Sequence, residues 1–596
     1  MLRAQLHSRK GSLFLLLSTL GMALLNPSLS RAQQQCPWPG LTGSFIQPQL
    51  ADQWNGYHWN QEYTYMGNAC LSQLILQWSA DSLAHTTVYP TSLNVAGYTY
   101  TQSTLHDVVG NALHYGDENG VQVYIGLQTN SDWFVNYANN SAWLNNEATI
   151  AEALANDVWT KYGNHTSFSG WYLTFEVDNL NEQNQSQWDN LVSFYTTVGN
   201  YLHNLSPGLP VIIAPFFNAN LGSSAETPAQ WTTMWEYILG NSPLDIMALQ
   251  DGVGAGHATA SQLPAWYQAT QTAICHSARN MLFWSDAETY VNVSGLNPMS
   301  TSELVTDMTA EDPYVSNFLS FSFNHYMSPQ QVNPVFYNTY LNYLNTQTVE
   351  TTPPSAPTSL SATAINSLTI NLSWTASADN IGIAGYQIYR NGVLVTTLYQ
   401  TGTTYSDSQL NPSTAYTYQV LAFDGAGNVS TASNTANAST PAGNAYPTDL
   451  ALNKSYTSSL AASSSYPDPD GTKLTDGVFG SAVYSDPAWQ GRLTGSVYTF
   501  TIDLGSVQTI HEVTSDWLQY QSVSIYLPQS VTYLVSSDDV NWTSVGSVNT
   551  PAVGSGNLSQ EYRVTDLASV SGRYVQIQVT PPSDAWTFID EAQVLQ

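Results

Sequence analysis

Between residues 43 and 347 the chain alternates short apolar runs with stretches whose apolar residues recur every third or fourth position. The runs at residues 43–48, 73–78, 121–127, 170–176, 210–215, 245–250, 281–285 and 318–323 read as buried strands. Between them, Ile150, Leu154 and Val158 keep a helical spacing, as do Trp231, Trp235 and Ile238. Eight strands alternating with eight helices over about 300 residues predict a (β/α)8 TIM barrel. A doubly wound open sheet is the alternative, disfavoured because no Gly-rich phosphate loop follows the first strand. At residues 350–357 the pattern breaks into Pro353, Pro354 and Pro357 among polar residues, which predicts a stiff linker. Beyond it the apolar positions alternate in short runs with no helical period, so the remainder is expected to be all-β. The expected division is a barrel at 33–349, then β-domains at 358–441 and 445–596.

The first 32 residues look like a secretory signal. Arg3, Arg9 and Lys10 precede an apolar stretch at residues 13–25, and Ser30, Arg31 and Ala32 offer a cleavage site. Twelve basic residues face 43 acidic ones, and removing the four basic residues of the leader would give 8 − 43 = −35 formal charges. Such acidity argues against nucleic acid, an anionic membrane surface or a polyanionic glycan. Charged residues make up 9% of the chain and aromatic residues 12%, which suits contact with neutral sugars. A secreted, extracellular or periplasmic protein is expected, with no membrane span. Of Cys36, Cys70 and Cys275, the first two are the most plausible pair in an oxidising compartment. No spacing resembles a metal site.

Two runs end abruptly in carboxylates: residues 170–178 reach Glu176 and Asp178, and residues 281–288 reach Asp286 and Glu288. The C-terminal tip of a barrel strand is where that architecture places its chemistry. Two carboxylates from separate tips are what glycoside hydrolysis needs. Because side chains alternate along a strand, Tyr172, Thr174, Glu176 and Asp178 would share one face, and Leu282, Trp284, Asp286 and Glu288 another. Asp and, less readily, Glu at such positions also begin helices as caps. Around them Gln47, Gln128, Asn218, Asp251, Trp284, His325 and Tyr326 fall at or near successive tips, a polar and aromatic crown able to hold a pyranose.

Gly170-Trp171-Tyr172 with Glu176, the segment from Leu249 to Gly254, and Trp284 with Glu288 resemble the glycoside-hydrolase-like barrels grouped as domain of unknown function 4434. More distantly the pattern is similar to retaining glycosidases with an acid/base on the fourth strand and a nucleophile on the seventh. That resemblance implies Glu176 as acid/base and Glu288 as nucleophile, with no catalytic cofactor. Phe175 stands where that clan usually has Asn.

Leu372-Ser373-Trp374, residues 385–392, the tyrosine corner at Leu410–Tyr418 and the turn at 424–428 resemble a fibronectin type III domain, with a spacer's role. Leu452-Asn453-Lys454, residues 474–477, 500–505, 535–542, 572–577 and 589–591 resemble a discoidin, galactose-binding-like jelly roll. This resemblance implies glycan binding, for which Trp489, Trp517, Tyr520 and Trp586 are the candidates, Trp586 foremost and Trp517 alternatively a core residue, and a structural calcium at Asp476 and Glu591. The expected whole is a secreted glycoside hydrolase acting on a neutral polysaccharide or oligosaccharide, held near it by its last module. The alternative is a catalytically silent carbohydrate-binding or adhesion protein with the same modules.

Overall fold

The computed structural model describes residues 39–292, 295–441, 448–550, 557–565, 567, 570–582 and 585–596. The expected signal segment and Cys36 lie outside them. Cys70 is disulfide-bonded, and Cys275 is free and exposed.

Eight parallel strands pair in sequence order: β1 (Gly43–Ile46), β2 (Gln73–Leu76), β3 (Gln122–Gly126), β4 (Phe168–Leu173), β5 (Val211–Ile213), β6 (Ile246–Gln250), β7 (Leu282–Glu288) and β8 (Phe318–Phe321). The Thr42 N–H donates to the Phe318 carbonyl (2.8 Å) and the Ser320 hydroxyl to that of Gly43 (3.0 Å), which brings β8 back to β1. The principal helices are α1 (Gly56–Asn68), α2 (Val108–Asn119), α3 (Ser141–Tyr162), α4 (Gln185–Leu205), α5 (Pro228–Gly240), α6 (Leu263–His276), α7 (Thr301–Glu311) and α8 (Pro334–Thr346). One follows each strand, as in a TIM barrel. Asn184 with Gln187, Thr227 with Gln230 and Ser300 with Glu303 form capping boxes that start α4, α5 and α7.

Alternation along the strands separates two cores. Phe45, Ile75, Tyr124, Tyr172, Ile212, Ile246, Trp284 and Leu319 fill the lumen, while Trp171, Ile213, Met247 and Phe283 point outward to the helices. The lumen is therefore packed, which leaves the C-terminal mouth as the candidate site.

The fibronectin-like segment is a sandwich of a three-stranded and a four-stranded sheet. Its tyrosine corner is formed: the Asn411 N–H donates to the Tyr416 hydroxyl at 2.8 Å. Beyond the Pro-rich linker it packs on the barrel. The Thr301 N–H at the start of α7 donates to the Gly425 carbonyl (2.9 Å), and Asn333 Nδ2 donates to that of Ile383 (2.9 Å). Val335 and Phe336 of α8 bury themselves against Ala384 and Phe423. A Cβ on Gly425 would lie 2.5 Å from Thr339 Oγ1, so only glycine permits this approach. The last domain is a jelly roll of five-stranded and four-stranded sheets. The described residues form one compact unit.

Candidate active site

β4 ends at Leu173 and the backbone runs on through Thr174 and Phe175 to Glu176, whose carbonyl accepts the Trp133 indole N–H at 2.8 Å. Phe175 stacks on Trp133 with ring centroids 5.3 Å apart. These contacts anchor the loop and leave the Glu176 side chain partly exposed at the mouth. Its carboxyl takes a hydrogen bond from Gln250, the last residue of β6. Gln250 Nε2 also donates to the Ala214 carbonyl at 2.8 Å, which fixes the amide between two tips.

Glu288 closes β7 and is 5% exposed. The Ala255 N–H donates to its Oε2 at 2.7 Å and the Tyr290 hydroxyl to its Oε1 at 3.1 Å. Gly254 brings backbone so near that a Cβ there would sit 3.1 Å from Glu288 Oε2. The β6 loop from Asp251 to Ala255 thus forms a backbone cradle for this carboxylate. Asp251 supports it from beneath, its Oδ2 accepting the Glu288 N–H at 3.2 Å.

Burial pushes both carboxyls up to about 7. For Glu176 the charges of Glu288 and Asp178 add to that rise, and the Gln250 hydrogen bond opposes it. For Glu288 the donors Ala255, Tyr290 and Gly254 all favour the ionised form. Around β7 the buried acids Asp251, Asp286 and Glu311 lie well above the usual carboxylate range, first through burial and then through mutual repulsion. Glu311 Oε2 accepts the Ser285 hydroxyl at 2.5 Å.

The other expected residues scatter. Trp284, 5% exposed and edge-on to Tyr124 at 6.3 Å, belongs to the packed lumen and forms a floor, not an open platform. Asp286 lies beside it, 2% exposed. Asp178 has turned into the loop, where it accepts the Leu180 and Asn181 N–H groups at 2.6 and 2.7 Å as a local cap. Gln128 is 2% exposed and donates to the Glu147 carbonyl at 2.8 Å, away from the mouth. Gln47 occupies the position before the short helix Pro48–Asp52, with no capping hydrogen bond from its side chain. His325 and Tyr326 lie on a helical turn, Phe323–Tyr326, beyond the end of β8. Burial lowers the His325 imidazole to about 4, and its Nδ1 pairs with the Ser322 hydroxyl at 2.6 Å. Tyr326 packs against Tyr290 with centroids 5.2 Å apart.

Asn218 lines a separate cavity of about 370 Å³ with Glu226, Gln262 and Trp266, between the β5 and β6 loops. Neither Glu176 nor Glu288 lines it. Gln250 and Tyr290 complete the site as hydrogen-bond partners of the two carboxyls. Tyr290 follows Glu288 by two residues, and that spacing was its available signal.

In the last domain Trp489 is 1% exposed, its indole N–H spent on the Ser481 carbonyl (2.8 Å), so it is core and not a sugar platform. Trp586 is partly exposed and meets Tyr466 edge-on at 5.3 Å. Asp476 accepts the Val478 N–H at 2.8 Å, and Glu591, 1% exposed, accepts that of Gly477 at 2.9 Å.

Three family models match in order: the domain of unknown function DUF4434 over residues 41–333, the fibronectin type III domain over 355–439 and the F5/8 type C domain over 435–592. The chain is a DUF4434 barrel followed by fibronectin type III and F5/8 type C domains. Chitinase A1 of Niallia circulans is 38% identical over 162 residues, 26% of this chain and 22% of that protein. Chitinase Chi52 of Paenibacillus xylanexedens is 45% identical over 102 residues, 17% of this chain and 19% of that one. The chain thus spans about a fifth of the length of these two relatives. A candidate alpha-L-fucosidase structure from Bacteroides thetaiotaomicron covers 52% of this chain and 94% of its own, at 20% identity and TM-score 0.43. No helix among the described residues is long and apolar enough to cross a membrane.

Proposed function

We propose that the DUF4434 barrel hydrolyses O-glycosidic bonds of a neutral polysaccharide or oligosaccharide, with Glu176 as acid/base and Glu288 as nucleophile. The observation that carries this reading is the contrast between two carboxyls at one mouth. Glu288 is held by Ala255, Gly254 and Tyr290, donors that favour its ionised form. Glu176 is kept protonated chiefly by burial, to which the repulsion of Glu288 and Asp178 adds, against a single opposing amide, Gln250. What distinguishes the two is their partners, and the carboxyl whose neighbours hold its charge is the one suited to act as nucleophile.

In the first step Glu176 gives its proton to the glycosidic oxygen while a Glu288 oxygen bonds to the anomeric carbon and the leaving sugar departs. In the second, Glu176 takes a proton from water, whose oxygen bonds to the anomeric carbon as the ester to Glu288 breaks. The anomeric configuration is retained. Chitinases among the relatives make chitin a rational first substrate. The test is release of sugars from a panel of plant and microbial polysaccharides by wild type, Glu176→Gln and Glu288→Gln. Release that both substitutions abolish supports the assignment; release that survives both overturns it.

The protein acts outside the cytoplasm on this reading. Its F5/8 type C domain takes a structural calcium. Glu591 Oε1 is buried with no hydrogen-bond partner, and Asp449, Asp476 and Asp590 add negative charge around it. Among the described residues no three His, Cys, Asp or Glu side chains are grouped to hold a metal. Asp476 and Glu591 would therefore share the ion with loop carbonyls, an oxygen donor set that suits this hard cation.

A further inference from the structure

The F5/8 type C domain touches the rim of the barrel mouth. Its turn Gln521–Val523 packs against the helix Pro48–Asp52, which leaves β1 just after Gln47. The neighbouring Tyr520 hydroxyl is hydrogen-bonded by the Leu296 backbone and the Asn557 side chain. Leu296 belongs to the hairpin that follows β7, in which Tyr290 pairs with Pro298. That hairpin carries the hydroxyl that holds Glu288. One turn of the module therefore reaches the loops of both β1 and β7.

Aromatic rings continue across this junction. On the barrel side Tyr290 packs on Tyr326 at 5.2 Å. On the module side Tyr520 meets Tyr484 at 5.1 Å, Tyr484 meets Tyr466 at 6.4 Å, and Tyr466 meets Trp586 at 5.3 Å. Burial chiefly, then the Tyr520 phenol, the Glu288 carboxylate and the Tyr484 phenol, push the Tyr326 hydroxyl upward, which places it within electrostatic reach of all three. Tyr326, Tyr484, Tyr466 and Trp586 each keep part of their surface open. No basic side chain accompanies them in these contacts. Aromatic faces without charge suit the C–H faces of neutral pyranoses.

We propose that barrel and module form one extended glycan cleft, in which Tyr326, Tyr484 and Trp586 hold the sugar units beyond the one cleaved between Glu176 and Glu288. The inference rests on the glycosidase reading for the position of the cleaved unit. It replaces a tethered module, which would raise local concentration from an independent site, with a wall of the active site itself.

The test uses the full chain carrying Glu176→Gln, so that ligand is not consumed. Chito-, cello-, manno- and xylohexaose are titrated calorimetrically, and the best binder is carried into Tyr326→Ala, Tyr484→Ala and Trp586→Ala backgrounds with unchanged melting temperatures. One hexaose per chain is expected, weakened about tenfold by each substitution, the size of one aromatic contact. Two independent hexaoses per chain, affinity indifferent to Tyr326→Ala or to both module substitutions, or no binding of any hexaose overturns the shared cleft. Single-site binding sensitive to both sides, in a wild type that cleaves none of the polysaccharides, would uphold the cleft and sink the glycosidase reading alone.

Discussion

The Tyr290 hydroxyl donates to Glu288 Oε1 at 3.1 Å from only two residues further along the chain. This bond is available because the strand ends at Glu288 and a hairpin doubles back over it. A donor to a carboxylate stabilises its ionised form and lowers its pKa. Tyr290→Phe removes the donor and keeps the ring against Tyr326. The acidic limb of kcat/KM against pH is expected to move upward by about one unit, with a loss of roughly tenfold near neutrality. A profile that keeps its acidic limb in place would show that Tyr290 does not tune Glu288.

Glu176 and Glu288 differ in what their loss does. Glu288→Gln removes the nucleophile and is expected to abolish turnover of every substrate. Glu176→Gln should cost roughly 10²–10⁴-fold with an alkyl leaving group, the range for general acid catalysis. It should cost much less in the first step with a dinitrophenyl leaving group, which needs no proton. Pre-steady-state release of dinitrophenol separates the two. Proton NMR of the first-formed anomer reports stereochemistry, and an inverted product would remove Glu288 as nucleophile.

Both strand tips were legible because long apolar runs stop at carboxylates, and the barrel because its strands are buried on two faces. What failed was the extension of strand parity past the strand. β4 stops at Leu173, so Asp178 swings away and caps its own loop. Gln128 lies just beyond β3, where the chain leaves the lumen face and ties to Glu147 instead. Trp284 obeys its parity, but a lumen filled by Tyr124 and Tyr172 makes it a floor. The docking of the fibronectin type III domain on the barrel was illegible, since it depends on the shapes of α7 and α8 and on the missing side chain of Gly425.

The same buried acids govern stability against pH. Glu176, Glu226, Glu288 and Asp307 are raised to about 7, Glu182 and Asp590 to about 8. In the folded state they hold protons that the unfolded chain has already released, so stability falls as pH climbs from about 4 towards 8. Asp117, lowered to about 2, works the other way and loses its contribution only below about pH 4. The melting temperature is expected to peak near pH 4–5 and to decline steadily to pH 9. A rise between pH 5 and pH 8 in a series of thermal melts would contradict it.

Calcium should reverse part of that decline. Burial and the surrounding acids raise Glu591 to about 9, and a cation beside it would replace the proton. Melting measured at pH 8 is expected to rise with added calcium and fall with EDTA. Glu591→Gln should remove the calcium response and leave the barrel's turnover of short substrates near wild type. An EDTA-insensitive melt would exclude the site.

The docking of the fibronectin type III domain makes the last expectation a matter of cooperativity. Phe336 of α8 is 3% exposed and stacks on Tyr399 of the domain with centroids 6.4 Å apart. Phe336→Ala removes a buried aromatic ring shared by both bodies, at a cost of about 3–5 kcal/mol. Because that energy couples the domains, its loss should split the calorimetric transition, with the β-domains and the barrel melting separately. A lower but still single transition would mean that Phe336 stabilises the barrel alone and that Asn333 and Gly425 suffice to hold the domain in place.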